Sequence, residues 1–227
     1  SSPDVGILAE DALQLWLLSL RSATAVTWPL LDIYARMAEL CEATTEHLPA
    51  AVAATQSCLL LGRGEFMARH GASVQGVFLS IVGHVNERGM LATLPAIEMC
   101  LRVFGDEGAR FLGPTLARLL GLVMRQDQEP ETVAAAAIPL WARLLILGPT
   151  TVEACLETVL SPPHHTLPPA QNPVNDPHEA AALATLTPTQ VVLKRLLRAW
   201  LSNVDGINNR RARRTSALGL AASLAWL

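Results

Sequence analysis

Helix-spaced apolar stretches begin at intervals of roughly twenty residues along the chain, and this spacing governs what it can fold into. Several open on a capping residue or a proline and close on glycine, proline or a polar cluster. In residues 7–21, Leu8, Ala12, Leu15, Trp16 and Leu20 fall at helical spacing, with Glu10, Asp11 and Gln14 on the other side and Asp4 as N-cap. Thr27 before Trp28-Pro29 opens a second helix that runs to Glu42, with Trp28 placed as a staple against the next turn. Thr45, followed by Glu46 and His47, opens a third, which ends at the break formed by Gly62 and Gly64. After a short intervening segment the fourth covers 73–86, with Val74, Val77, Phe78, Ile81 and Val85 on one face. The fifth covers 91–104 and is closed by Gly105; the sixth covers 114–125. A seventh starts at Pro130 and contains Pro139, which is expected to kink or split it. An eighth covers 151–160, Thr187-Pro188 starts a ninth and Asn208 opens the last.

No stretch alternates with period two between hairpin signals. The chain is 51% hydrophobic but only 4% aromatic, an apolar content of Leu, Ala and Val that favours packed helices over a sandwich of strands. Consecutive helices pair over roughly forty residues, the period of HEAT and armadillo arrays. Five pairs fit: 6–42, 46–86, 90–125, 130–160 and 188–227. The expected fold is therefore all-α, a HEAT-repeat α-solenoid of about five antiparallel helix pairs running through residues 1–227 as one segment. Residues 161–177 hold Pro162, Pro163, Pro168, Pro169, Pro173 and Pro177, a density that excludes helix and central strand and predicts an exposed loop between the fourth and fifth pairs. The apolar run at 216–227 reads as a repeat face without the polar outer cap of a solenoid terminus, so a further helix of a longer chain is expected to cover it.

Enzyme signatures are missing from the sequence. There is no HExxH, GxSxG, P-loop or GxGxxG, and the expectation is a non-enzymatic protein with no metal and no cofactor. His164 and His165 lie in the Pro-rich loop without a Cys or acid at ligand spacing, and read as solvated. His70 and His84 read as packing or surface residues. Adjacent Glu10 and Asp11 point apart on a helix and form no carboxylate pair. Trp16, Trp141 and Trp200 sit among leucines and read as core. Cys41, Cys58, Cys100 and Cys155 contain no CxxC pair and read as buried free thiols of a reducing compartment. With neither an apolar membrane-spanning run nor a secretory leader, the chain is expected to be soluble and intracellular.

Charge is what the fold expectation does not absorb. Residues 1–193 carry 19 of the 20 acidic residues and 10 of the 17 basic ones, a balance of about −9. Residues 194–227 carry seven basic residues, Lys194, Arg195, Arg198, Arg210, Arg211, Arg213 and Arg214, against Asp205 alone. Four of these arginines fall in the first turns of the last helix, where cations oppose the macrodipole. Three readings are open for them: a solvated face or ion-pair ladder between repeats, contact with an acidic partner protein, and neutralisation of nucleic-acid phosphates. No aromatic residue is interleaved with the arginines, which disfavours single-strand binding.

The motif EDALQLWLLSL at 10–20, followed by TWPLLDIYARMAELCE, resembles the late repeats of the importin-β (karyopherin) superfamily, most nearly the C-terminal HEAT-repeat region of its importin eleven branch. LLRAWLSNVD followed by RRARRTSALGLAASLAWL is similar to a Trp-bearing helix and a basic-then-apolar helix late in those proteins. The resemblance implies a Ran-regulated nuclear transport receptor that shuttles between nucleus and cytoplasm and contacts protein cargo and nucleoporins. The repeats that chiefly grip the Ran-type GTPase in that family would lie outside this chain. A HEAT scaffold outside nuclear transport is the alternative, and a nucleic-acid-binding helical repeat a more distant one.

Overall fold

A computed structural model describes residues 3–43, 46–124, 131–160 and 186–224, and the expected Pro-rich loop at 161–177, the His164-His165 pair and the Thr45 cap lie outside the described residues. The described structure is all-α, with helices in a repeat-like packing consistent with an α-solenoid. The chain divides into two compact units, Ser1–Phe104 and Gly105–Leu227.

In the first unit, α1 (Pro3–Ser22) and α3 (Met37–Ala43) pack on the long α4 (Leu48–Ile81), with α2 (Trp28–Asp32) and a 3-10 turn (Ile33–Arg36) leading into α3. Asp4 lies inside α1 rather than capping it. The buried side of α1 is Leu13, Trp16, Leu17 and Leu20, whereas Leu15, expected to face inward, is 68% exposed. Apolar residues occur on every side of this helix, so its own periodicity left the rotation open. The Trp16 indole settles it by donating to the Leu30 carbonyl at 2.7 Å.

The centre of this unit is aromatic and polar together. Tyr34 is fully buried with its hydroxyl 2.8 Å from Thr55 Oγ1. Thr55 spends its proton on the Ala51 carbonyl at 2.8 Å, so Tyr34 is the donor between the two. Burial holds the Tyr34 phenol far above its ordinary range, the bond to Thr55 pulling weakly the other way. Phe66 meets the Tyr34 ring edge-on at 5.2 Å, and His70 packs beside Phe66 at 5.1 Å. His70 Nε2 lies 2.8 Å from Asp32 Oδ1, so its expected packing role comes with a specific carboxylate. Arg69 lies 3.6 Å from the same carboxylate and stacks 4.1 Å over Trp28, which is thus a platform for a cation rather than a staple.

The break expected at Gly62 and Gly64 is a kink inside α4, carried by Arg63 at φ 43°. The chain re-enters helix at once, and no separate segment precedes residue 73. Likewise α5 (Glu87–Phe111) continues past the expected stop, with Gly105 at φ 56° as its one non-helical residue. That conformation costs glycine nothing and strains other residues.

The second unit contains α6 (Gly113–Met124), α7 (Glu131–Leu147), α8 (Pro149–Leu160), α9 (Pro188–Asn203) and α10 (Arg210–Leu224), with a 3-10 turn at Val204–Gly206 before α10. Its centre is α7, which packs against α6, α8, α9 and α10 and is helical through Pro139, so the expected split does not occur. Nearly every residue from Val133 to Leu145 is buried, and this enclosure keeps the helix running across the proline. Thr187 and Gln190 form a reciprocal capping box at the start of α9, as the Thr-Pro signal suggested. Asn209, one residue later than expected, caps α10 by accepting from the Arg211 and Ala212 backbone N–H groups at 2.8 and 3.3 Å.

Candidate functional site

The candidate surface is α10, and its geometry follows from how the helix is seated. Its buried side is Thr215, Ser216, Gly219 and Ser223, all small. A Cβ on Gly219 would lie 2.6 Å from Ala142 Cα and 2.9 Å from the Trp200 ring, so α10 and α7 touch backbone to backbone here. Trp200, fully buried on α9, donates to Ser216 Oγ at 2.7 Å and fixes the rotation of α10. The apolar run, expected to be covered by a further helix of a longer chain, packs within this unit through its small residues alone. There is no room for leucine at this contact, and Leu218 and Leu224 are turned outward, 53% and 73% exposed.

The basic residues separate into different roles. Arg213 Nε donates to the Ile207 carbonyl and closes the turn before α10. Lys194 and Arg198 already have interactions within the chain, and Lys194 and Arg195 are half-buried on α9. Arg210, Arg211 and Arg214 are exposed, with no ion pair to any described residue. α10 has no acidic residue at all. Arg210, Arg214, Ala217 and Ala221 follow one another at i, i+4, i+7 and i+11 down the middle of the outward side, flanked by Leu218 and Leu224. The result is a strip, basic over the first turns and apolar over the rest.

A second feature, in the first unit, escaped the sequence reading. Ala12, Leu13, Trp16, Ile33, Met37 and Leu40 line an apolar groove of about 410 Å³ between α1 and α3, with Arg36 and Glu39 at its edge. Trp16 read as core, and it is core; nothing in the sequence showed that one side of its pocket stays open.

Chemistry has little footing among the described residues. No group of three or more His, Cys, Asp or Glu is placed to hold a metal ion. None of the four cysteines is in a disulfide; Cys41 is half-buried and Cys58, Cys100 and Cys155 are buried. Desolvation pushes the three buried thiols up to about 12, away from the thiolate form a nucleophile needs. No helix among the described residues is long and apolar enough to cross a membrane.

Comparison with known proteins bears on the whole length. A family model described as "Importin-11-like, TPR repeats" matches residues 1–225. The chain belongs to the importin-11-like family. It is 20% identical to Importin-11 of Homo sapiens over 224 residues, 99% of this chain and 21% of that protein. It is 30% identical to Importin-11 of Mus musculus over 132 residues, 58% of this chain and 13% of that protein. The chain thus spans about a fifth of the human importin's length. No solved structure matches it. The family's description names TPR repeats where the helix spacing suggested HEAT; both are stacks of helix pairs that differ in repeat length.

Proposed function

We propose that the chain is a non-enzymatic, protein-binding part of an importin-type nuclear transport receptor, Ran-regulated and carrying protein cargo between cytoplasm and nucleus. In this reading it is one continuous repeat segment toward the C-terminal part of the receptor. Cargo and nucleoporins are its partners, and the Ran-type GTPase is held chiefly elsewhere on the parent chain. The observation that carries the reading is the importin-11-like match along residues 1–225. It is supported by a helical surface that presents Arg210, Arg211 and Arg214 outward with no internal counter-charge among the described residues. Arg213 serves the turn and is set apart from the contact surface, as are Lys194 and Arg198, which already have partners.

The test is nuclear import in permeabilised cells by the full-length receptor, with and without the segment corresponding to residues 1–227. Excision is expected to abolish or sharply reduce cargo accumulation while the remaining receptor still binds the GTPase. Undiminished cargo loading and import after excision would contradict the proposal.

A further inference from the structure

The strip on α10 has a polarity that a general protein-binding role does not explain. Cations at a helix N-terminus work against the macrodipole, so Arg210, Arg211 and Arg214 are not there to stabilise their own helix. With no acidic residue on α10 and no ion pair to a described residue, they have no counter-charge among the described residues. Immediately beyond them the outward side turns apolar, with Leu218 and Leu224 exposed because the small side of the helix is the one that packs. A nucleic acid would use the arginines and leave the leucines in water. The exposed residues run straight along the axis at i, i+4, i+7 and i+11 for about 17 Å, a line that the ridge of another helix can follow.

We propose that the outward side of α10 is a docking strip for an acidic amphipathic helix of a partner protein. Its carboxylates would meet Arg210, Arg211 and Arg214, and its apolar side chains would cover Leu218 and Leu224. The proposal rests on the protein-binding reading above and adds to it the partner's chemistry and direction. Specificity comes from the order of the two halves: the acidic end of the partner lies over the first turns of α10 and the apolar end over its last.

The test is fluorescence anisotropy on the 227-residue chain. The probe is a labelled synthetic peptide of about 15 residues, the length of α10, with glutamates in its first two turns and leucines at i, i+3, i+4 and i+7 thereafter. Binding is expected to weaken at least about tenfold in Arg210→Glu/Arg211→Glu/Arg214→Glu, and by a similar factor in Leu218→Asp/Leu224→Asp. Far-UV circular dichroism is expected to be unchanged in both. If the glutamate variant loses helicity, Arg210→Gln/Arg211→Gln/Arg214→Gln removes the charge without adding repulsion, and the same loss of binding is expected. Equal binding by a scrambled peptide of the same composition, or no response to the leucine variant, would overturn the proposal. So would preference for a duplex DNA over the peptide, or self-association of the chain through Leu218. Import lost on excision together with no peptide binding would remove the strip and leave the receptor reading standing.

Discussion

In residues 1–104 the core is gathered around rings, with Tyr34, Phe66 and His70 in mutual contact, Trp16 against Tyr34, and hydrogen bonds from Tyr34 to Thr55 and between His70 and Asp32 fixing their places. In residues 105–227 the tightest contact comes from leaving side chains out, where Gly219 lets α10 meet Ala142 on α7. A ring core tolerates small adjustments and fails when bulk is removed. A close backbone contact fails when bulk is added. The second arrangement also has a consequence for the surface: a helix seated on its small residues must carry its leucines outside.

The sharpest way to break this comparison is Phe66→Ala, which empties the middle of the first core. It is expected to cost about 4 kcal/mol in urea unfolding. Gly219→Val tests the second arrangement from the other direction. Its side chain would collide with backbone, and a loss of about 3 kcal/mol is expected. The matched control is Gly64→Ala, whose Cβ would meet nothing within 4 Å and which should leave stability equal or slightly raised. Comparable losses at both glycines would erase the distinction between the units.

Alkaline titration gives an intermediate effect. Cys58 and Cys100 lie in the first unit and Cys155 in the second, each pushed by burial from an ordinary 9.0 to about 12. Above the ordinary value the unfolded chain loses protons that the folded chain keeps. Stability is therefore fully present below pH 9 and falls as pH rises toward 12, by about 1.4 kcal/mol per pH unit for each thiol. Denaturation midpoints between about pH 9 and pH 10.5 should flatten twice as much in Cys58→Ala/Cys100→Ala as in Cys155→Ala. The smallest effect is that of Tyr34→Phe, which removes a buried donor while Thr55 keeps its bond to Ala51. A loss of about 1 kcal/mol in the same unfolding assay is expected.

Much of this architecture was legible in the sequence, because helix starts, stops and spacing are local properties. Thr187-Pro188 announced its helix, and Gly62–Gly64 and Gly105 marked real departures from helical backbone. What those departures do was not legible: a residue at φ 43° or 56° here bends the chain inside a helix, where a stop was expected. The facing of helices was the main loss. Leu15 and Leu218 lie in runs apolar on several sides, and only the Trp16–Leu30 and Trp200–Ser216 bonds, made across the fold, choose the rotation. The basic residues were visible as a cluster, but not that Arg213 is spent on a turn while Arg210, Arg211 and Arg214 stay outward.

The orientation of α10 underlies the proposed partner surface, and thiol labelling reads it directly. In a Cys41→Ala background the remaining native thiols are buried, so a single cysteine introduced on α10 reports its own side of the helix. Leu218→Cys is expected to react with a water-soluble maleimide at the rate of a free thiol, and Ser216→Cys only when the chain unfolds. Rapid labelling at 216 with protection at 218 would contradict the seating of α10 and the docking strip with it.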